Sequence, residues 1–324
     1  MAVTQLLVTG ANGFVGMALC RLLIEQGYEV TGLVRGSAAL ADGATPWRHA
    51  APDFDGIAAA WPRALAPDCV IHLAARVHVM NDGAADPLAA FRGTNVEGTL
   101  RVARAAHRRG ARRFVFVSSI KAVSEADRGM PLNEASPTVP SDPYGRSKLE
   151  AELALRDLGA ETGLDVVIVR PPLVYGPGVR ANFLSLLNLV QRGIPLPFGA
   201  VRARRSLVYS ENLADALARC AVDPRAAEGC FHVADAESPS VSELLVALGR
   251  HMQRPARLVP VPVGMLRMLG TLSGRSEQIR RLTESLQVDA SRLRSALDWT
   301  PPFSLDQGLA QTVRWYKRQR GMSK

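Results

Sequence analysis

The first half of the chain alternates short apolar runs with longer amphipathic segments. The apolar runs predict five strands, at QLLVTG, YEVTGLVR, CVIHLAA, RRFVFVSS and LDVVIVRPP. Between them lie three predicted helices: FVGMALCRLLIEQG, which ends at Gly27, a long helix beginning at Asp86-Pro87, and a helix from about Pro143 to Gly159. Strands made almost entirely of Val, Ile and Leu are typical of a parallel sheet covered on both faces. The pattern therefore predicts an α/β fold built on a doubly wound parallel sheet.

The pattern loosens after about Pro171, where prolines, loops and shorter helices dominate. No repeat, low-complexity stretch or Ser/Gly linker marks a boundary. We expect residues 1–170 to form the α/β domain. Residues 171–324 would form mainly a smaller C-terminal lobe, interleaved with the first domain.

The chain is basic, with a net charge of +9 from 39 Lys and Arg against 30 Asp and Glu over 324 residues. This balance indicates an anionic partner: a nucleic acid, a membrane surface or a phosphorylated small molecule. The densest basic run, RVARAAHRRGARR (Arg101 to Arg113), ends a predicted helix and enters a strand. We interpret it as a solvated helix face and expect no nucleic-acid partner.

The four cysteines, Cys20, Cys69, Cys220 and Cys230, show no CxxC spacing and no accompanying His cluster. They predict buried free thiols in a reducing compartment, and no metal site. The N-terminus runs straight into a strand without the basic and apolar regions of a signal peptide. We therefore expect a cytoplasmic location.

One segment of the second half, VPVGMLRMLGTLSG (Val261 to Gly274), is apolar enough to touch a membrane surface. A lid or core helix is the interpretation that we favour for it. No apolar run approaches the roughly 20 residues that span a bilayer, so we expect no stable membrane insertion.

A glycine-rich turn, TGANGFVG, joins the first predicted strand to the first helix. Gly10 can make the tight turn, Gly13 lets the backbone approach a pyrophosphate, and Gly16 lets the helix pack close to the sheet. The phosphates would lie at the helix N-terminus, among free N–H groups. The alternative is simply a tight strand–helix turn. The context favours a dinucleotide-binding loop whose predicted contacts are Gly10, Asn12, Gly13, Phe14, Val15 and Gly16.

The end of the second strand bears on which dinucleotide binds. NAD sites usually carry an acidic residue there, about 20 residues beyond the glycines, for the ribose 2′-hydroxyl. This chain has Arg35 in that place, with Ser37 behind it. An arginine favours a 2′-phosphate, so we expect NADP to be preferred over NAD. The alternative is an exposed arginine at a strand end.

The run SDPYGRSK places Tyr144 and Lys148 four residues apart, on one face of a helix that Ser141 or Asp142 can cap. A lysine beside a tyrosine hydroxyl, near an oxidised nicotinamide, would lower the pKa of the tyrosine. The tyrosine could then exchange a proton with a sugar hydroxyl near neutral pH. Ser119, at the end of the preceding strand, could hydrogen-bond the same oxygen. An isolated Tyr–Lys pair would instead be a surface contact, but the glycine loop and the serine favour catalysis.

These motifs occur in the order found in a known family. TGxxGxxG, DCVIHLAA, Asn95 in the following helix, Ser118-Ser119 and YGRSK together resemble the extended short-chain dehydrogenase/reductases. Within that family the chain is similar to the nucleotide-sugar epimerase/dehydratase group, which has a Rossmann domain and a substrate-binding lobe. The resemblance implies a homodimer through two helices per subunit. It also implies further cofactor contacts at Asp53, Leu73, Ala74, Ala75, Asn95, Pro171 and Val174.

The 4,6-dehydratases of this group carry a Thr-Asp-Glu run at the end of the catalytic strand, and its carboxyl groups eliminate water. This chain has Ser119-Ile120-Lys121 there. Isoleucine cannot transfer a proton, and lysine is a poor substitute for the glutamate, so the stretch argues against dehydration. Ketoreduction, oxidation, or epimerisation through a 4-keto sugar stay open.

The resemblance also implies a UDP-sugar site. It assigns contacts with the base and phosphates to Asn182 and Phe183, and a base-binding strand to IPLPFG, with Leu196 and Phe198 against the uracil. Arg205 would grip the pyrophosphate, since a planar cation suits phosphate oxygens. Arg280 and Arg281 could supply a second clamp. The remaining expected substrate contacts are Ser119 and Lys121.

The leading hypothesis from the sequence is an NAD(P)-dependent 4-ketoreductase of a UDP-4-keto-6-deoxy amino sugar in surface polysaccharide (O-antigen) biosynthesis. A bacterial subgroup with SSIK and RPPLVYGPGVRANF runs carries this resemblance. The alternative is a UDP-hexose or UDP-N-acetylhexosamine 4-epimerase, although Leu173 replaces the sugar-binding Asn of the galactose epimerases. A non-catalytic NAD(P)-sensing regulator is the alternative from another class, and such relatives usually lack the Tyr–Lys pair.

Overall fold

A computed structural model describes residues 3–37, 39–77 and 86–321. Seven parallel strands form the main sheet, in the order β3-β2-β1-β4-β5-β6-β9. The strands of the chain are β1 (Gln5–Thr9), β2 (Glu29–Val34), β3 (Thr45–Arg48), β4 (Cys69–His72), β5 (Arg113–Val117), β6 (Asp165–Arg170), β7 (Leu173–Tyr175), β8 (Leu207–Tyr209) and β9 (Cys230–His232). The predicted doubly wound parallel sheet is confirmed. The structure adds β3 and β9 at its two edges. The sequence of β3, TPWR, is not an apolar run, and β9 has only three residues.

Helices cover both faces of the sheet and build the lobe beside it. They are α1 (Phe14–Glu25), α2 (Ile57–Ala60), α3 (Pro87–Arg92), α4 (Thr99–Arg108), α5 (Pro143–Thr162), α6 (Ala181–Arg192), α7 (Ser210–Val222), α8 (Val241–Met252), α9 (Val263–Leu272), α10 (Ser276–Thr283), α11 (Ser291–Leu297) and α12 (Leu305–Gln319). The long helix predicted from Asp86-Pro87 exists, but a π-helical turn at Gly93–Gly98 separates α3 from α4. Such turns often occur at functional sites, and this one contains Asn95.

The sheet buries successive strand residues on opposite faces, as the two-residue period of a strand requires. Leu6 and Val8 of β1 belong to the core beneath α1, α7 and α11. Leu7, between them, belongs to the core beneath α4 and α5. Both faces of the sheet are therefore buried, which is why its strands are almost uninterrupted runs of apolar residues.

The C-terminal part of the chain does not form one separate body. The segment β8-α7-β9 returns to the main sheet, where α7 packs against α1 and β9 extends the sheet beside β6. The rest forms a lobe around a third core, contributed mainly by α6, α8 and α12. A two-stranded parallel sheet of β7 and β8 lies at the junction.

The strand predicted at IPLPFG does not form. Leu196 makes only an isolated bridge with Leu258, and residues 197–200 form a turn. The reason is that Pro195 and Pro197 have no backbone N–H to donate to a ladder.

The four cysteines are free and buried, and burial raises the pKa of the Cys20 and Cys220 thiols to about 12. Over the described residues, no helix is both long enough and apolar enough to cross a membrane. The same part of the chain contains no group of three His, Cys, Asp or Glu that could hold a metal ion.

Candidate active site

The glycine loop turns tightly between β1 and α1. Gly10 adopts φ +66°, and a Cβ there would lie 3.1 Å from the backbone nitrogen of Ala74. A Cβ on Gly13 would lie 2.9 Å from the Gly10 carbonyl oxygen, and one on Gly16 would clash with the same oxygen. Only glycine fits these three positions without a shift of the backbone.

The N-terminus of α1 emerges from this loop. Gly13 occupies the cap position in an extended conformation, without a side-chain cap. The first amides of the helix, near the half-buried Asn12, Phe14 and Val15, are therefore not covered by a capping side chain. Such a terminus, behind a glycine cradle, fits the pyrophosphate of a dinucleotide.

The segment after β4 lies against the glycine loop. The Ala74 amide donates to Thr9 Oγ1 at 3.1 Å, and Leu73 and Ala75 beside it are half-buried. This is the point where the strand order reverses between β1 and β4, the usual ligand crevice of a doubly wound sheet. The glycine loop and the segment Leu73 to Ala75, two of the predicted sets of dinucleotide contacts, therefore meet at that crevice.

Asn95 ties the crevice to the catalytic helix. Its side chain is 1% exposed, and its Oδ1 accepts from the Arg76 amide at 2.8 Å. Its Nδ2 donates to the Arg76 carbonyl oxygen at 3.1 Å and to Ser147 Oγ at 3.0 Å. Asn95 therefore holds the segment after β4 against α5, three residues from Tyr144.

Two predicted cofactor contacts, Arg35 and Asp53, have different surroundings. Arg35 is exposed just beyond β2, two residues after Leu33, whose carbonyl oxygen accepts from the Gly10 amide at 3.0 Å. Asp53 packs instead toward α4, where its Oδ2 is 2.7 Å from Arg101 Nη1. Arg35 thus borders the glycine loop, while the carboxylate of Asp53 is held by an ion pair.

The predicted catalytic residues converge at the N-terminal end of α5. Asp142 caps this helix through its Oδ1, which accepts from the Gly145 amide, and Pro143 begins it. Tyr144 and Ser119 share a hydrogen bond. The Lys148 side chain lies one turn further on, only 1% exposed, with its Nζ 4.0 Å from the centroid of the Phe116 ring.

Lys121, the predicted substrate contact that follows Ser119, is engaged in ion pairs. Its Nζ is 2.8 Å from Glu125 Oε1 and also pairs with Asp142. Glu125 in turn accepts from Ser141 Oγ at 2.5 Å and from Arg280 Nη2 at 2.9 Å. Burial acts to raise the pKa of Glu125, but the hydrogen bonds from Lys121, Ser141 and Arg280 outweigh it and lower that pKa. The Glu125 carboxylate is therefore ionised and bound by Lys121, Ser141 and Arg280.

Two of the predicted phosphate-binding arginines lie together. Arg205 Nη1 donates to the carbonyl oxygens of Arg281 and Glu284, at 2.6 and 3.0 Å. Arg281 pairs with Glu277, its Nε 2.9 Å from Oε1. Burial, and then the charge of Arg281, lower the pKa of Arg205. Two cations held this close suit a diphosphate better than a single charge.

The predicted base contacts lie mostly in the lobe core. Phe183 is fully buried and stacks on Tyr175 with ring centroids 5.3 Å apart. Leu196 and Phe198 are buried in the same core, whereas Asn182 is exposed at the start of α6. The structure therefore does not present the three apolar side chains on an open surface, since packing the lobe uses them. Pro171 is buried and Val174 is half-buried at the end of the sheet nearest the lobe.

The profile of the NAD dependent epimerase/dehydratase family matches residues 6–233. This chain belongs to that family. It is 39% identical over 316 residues to a UDP-glucose 4-epimerase of Vibrio cholerae, covering 96% of this chain and 94% of the relative. It is 30% identical over 338 residues to a UDP-glucose 4-epimerase of Mycolicibacterium smegmatis, covering 97% and 98% of the two chains. The family resemblance inferred from the motifs is thereby confirmed.

The fold is also found in a solved structure of this family. UDP-glucose 4-epimerase of Thermotoga maritima, crystallised with UDP-glucose, superimposes with a TM-score of 0.79 at 22% identity. The match covers 98% of this chain and 100% of that one. The family profile and the 39% identical relative show that the protein is an enzyme of the NAD dependent epimerase/dehydratase type, and its glycine cradle fits a dinucleotide.

The pKa values of the catalytic pair follow from burial. In the protein alone, desolvation and then the charge of Asp142 raise the pKa of Tyr144 to about 12, and the Ser119 hydrogen bond only partly opposes this. Burial also lowers the pKa of Lys148 to about 7, with the charge of Glu152 acting in the opposite direction. For both groups, desolvation is the largest cause of the shift in pKa. That Lys148 lowers the pKa of Tyr144 beside an oxidised nicotinamide stays a prediction.

The sequence motifs missed the partner behind Lys148. Glu152, four residues further along α5, forms a bidentate pair with Arg170 at the end of β6. The next residue, Pro171, accepts from the Ile120 amide at 2.9 Å, so this pair links α5 to the loop that carries Ser119. A signal was available: Glu152 lies on the Lys148 face of the helix, and Arg170 ends an otherwise apolar strand.

Proposed function

We propose that this enzyme is an NAD(P)-dependent 4-epimerase of a UDP-hexose or UDP-N-acetylhexosamine. The observation that supports this proposal most is the grouping of Ser119, Tyr144 and Lys148 beside the glycine loop. That grouping can move a proton at one carbinol oxygen. At the same strand end, the carboxylates of Glu125 and Asp142 bind Lys121. Ile120 and Lys121 follow Ser119, where the dehydratases carry the acid and base that eliminate water. The Vibrio cholerae relative, named a UDP-glucose 4-epimerase, supports the same reaction.

The chain's own residues would handle the proton of the C4 hydroxyl. Tyr144 would accept it as the alcohol is oxidised and return it as the 4-keto group is reduced. Since burial raises the pKa of Tyr144 in the protein alone, this role requires the positive charges of Lys148 and of the bound oxidised nicotinamide to stabilise the phenolate. Ser119 orients the same oxygen through its hydrogen bond with Tyr144. The bound nicotinamide supplies the hydride acceptor and donor. Epimerisation further requires that the 4-keto sugar present its opposite face before reduction, so the site must hold the sugar through its diphosphate.

Arg205 and Arg281 are the groups that we propose for that diphosphate. They lie on the lobe side of the loop that carries Ser119, and Arg281 Nη2 is 4.0 Å from Glu125 Oε1. Anchoring at the diphosphate leaves the sugar free to turn, which epimerisation needs and a simple reductase does not. A homodimer, a cytoplasmic location and a role in surface polysaccharide synthesis stay predictions.

The test is incubation with UDP-glucose, UDP-galactose and their N-acetylamino counterparts, without added reductant, followed by NMR of the sugars. An epimerase converts many equivalents of substrate per enzyme with no net consumption of NAD(P)H. Tyr144→Phe is the matched control. Absence of conversion, together with stoichiometric NADPH consumption on a 4-keto sugar, would contradict the proposal.

The 4-ketoreductase is the second candidate, and one observation favours it. Arg35 is exposed beside the glycine loop, where a 2′-phosphate would bind, and a reductase must take up NADPH afresh. Titration with NADPH and NADH tests this: we expect NADPH to bind more tightly and Arg35→Asp to erase or reverse the preference. Equal affinities in the native enzyme would remove the reason for the reductase.

A further inference from the structure

Helix α9 presents an apolar stripe to solvent. Its inner face packs on α10, where Leu266 is 2% exposed and a Cβ on Gly270 would lie 2.8 Å from Ile279 Cγ1. On its outer face, large apolar side chains recur at the spacing of one helical stripe. They are Met265 (49% exposed), Met268 (57%), Leu269 (51%) and Leu272 (78%). The inner apolar face of α9 is therefore covered by the protein, and the outer apolar face is exposed to solvent.

The same part of the chain is strongly basic. Residues 252–276 contain four arginines and no Asp or Glu. All four are exposed: Arg254, Arg257, Arg267 and Arg275. The nearest acidic partner of Arg267 is Glu284 of α10, at 4.0 Å. The apolar stripe therefore lies on a segment whose own charged side chains are all positive.

We propose that this face of α9 docks on the surface of an anionic phospholipid bilayer. A helix with an apolar stripe and arginine flanks lies in the plane of the interface, its apolar side chains among the acyl chains and its cations at the headgroups. Ten residues are too few to span a bilayer, so the contact is peripheral. This inference goes beyond the sugar chemistry proposed above and does not depend on it.

The charge argues against a second copy of the chain as the occupant. A two-fold contact through this stripe would bring each arginine of the segment toward its own equivalents. Like charges face each other unfavourably in such an interface, whereas lipid phosphates would neutralise them. The net charge of the whole chain, +9, likewise favours binding to an anionic surface.

The docking face is joined to the catalytic loop. Helix α10, on which α9 packs, contributes Arg280, whose Nη2 is 2.9 Å from Glu125 Oε2. Glu125 binds Lys121, two residues beyond Ser119. Docking through α9 would therefore turn the lobe side of the active site toward the membrane.

Co-sedimentation with vesicles tests the proposal. The full-length protein should pellet with vesicles of phosphatidylcholine mixed with phosphatidylglycerol, and not with phosphatidylcholine alone. The double variant Met268→Ser with Leu272→Ser, and separately Arg267→Gln with Arg275→Gln, should each lower binding by about tenfold or more, since each removes one of the two attractions. High salt should weaken the native binding by screening the arginines.

The matched control replaces exposed apolar residues elsewhere, Met130→Ser with Val246→Ser, and should bind vesicles like the native protein. Circular dichroism and thermal unfolding confirm that every variant folds. A native protein that ignores anionic vesicles, or α9 variants that bind them unchanged, would overturn the proposal. Analytical ultracentrifugation showing that the α9 variants dissociate an oligomer would also overturn it, in favour of a second copy.

Discussion

Glu152 and Arg170 form a buried bidentate ion pair behind the catalytic lysine. Arg170 Nε is 2.9 Å from Glu152 Oε1, and neither side chain is more than 3% exposed. The charge of Glu152 also acts to raise the pKa of Lys148, one helical turn away. The pair therefore contributes both to the packing of α5 on the sheet and to the protonation state of Lys148.

Glu152→Gln should lower the pKa of Lys148 further, because it removes the negative charge that raises it. If catalysis needs the charged lysine, the alkaline limb of kcat/KM should move to lower pH. The variant should also lose about 3–5 kcal/mol of unfolding free energy, since it leaves Arg170 buried without its partner. A pH–rate profile and a urea titration measure the two effects.

The double variant Glu152→Gln with Arg170→Met separates the effect on the pH profile from the effect on stability. It removes both charges, so most of the stability should return while the shifted pH profile stays. A purely structural role for Glu152 predicts that the profile returns to native as stability returns. That result would exclude Glu152 as a residue that tunes Lys148.

Lys148 should make the protein more stable as the pH rises from about 7 toward 10, whereas the buried thiols of Cys20 and Cys220, whose pKa is raised from 9.0 to about 12, should act in the opposite direction above about 9. The pKa of Lys148 is lowered to about 7 by burial, against 10.5 for an ordinary lysine. Between these values the unfolded chain binds a proton that the folded chain does not, so unfolding becomes harder with rising pH. Above about 10 the raised pKa of Tyr144 acts in the opposite direction, because the unfolded tyrosine then loses its proton first.

Lys148→Met should reduce the increase of unfolding free energy with pH, while a side chain of similar volume is kept. Urea unfolding of both proteins at several pH values between 7 and 9.5 measures the difference. An unchanged slope in the variant would mean that Lys148 keeps an ordinary pKa in the folded protein.

Tyr144→Phe should lower turnover by about 10²–10⁴-fold and leave cofactor binding nearly intact, because only the proton carrier is lost. The ring, which lies 6.1 Å from the Phe91 ring, is retained. Ser119→Ala should cost less, since the serine orients the oxygen without carrying the proton. Steady-state rates on a verified substrate, with cofactor titration, check this. A Tyr144→Phe enzyme with most of its activity would show that the proton travels by another route.

Arg205→Ala should weaken binding of UDP by about tenfold to a hundredfold, the range for losing a hydrogen bond to a charged group. It should also loosen the end of α10, whose carbonyl groups Arg205 holds. Arg204→Ala is the control, because this neighbouring arginine is exposed and points its Nη1 to the Ser238 carbonyl oxygen. Calorimetry with UDP measures the affinities. Equal losses in both variants would place the diphosphate elsewhere.

Local sequence determined the parts of this protein that depend on neighbouring residues. The glycine loop after β1 could be predicted because three close backbone approaches tolerate only glycine. The start of α5 could be predicted because Asp142 and Pro143 form a cap within one turn, and the four-residue spacing then sets Tyr144 and Lys148 on one face. The five predicted strands of the main sheet followed from their apolar runs, since a sheet covered on both faces requires them.

Tertiary structure decided what depends on residues far apart in the chain. Strand β9 is three residues long and belongs to the sheet only because β6 pairs with it. The base-binding strand expected at Leu196 and Phe198 gave way to a turn, and both side chains went into the lobe core. The pKa values of Tyr144 and Lys148 in the protein alone were likewise decided by burial, which their spacing does not show. Spacing describes how two groups attract each other, whereas desolvation, the larger effect here, depends on how the whole chain packs around them.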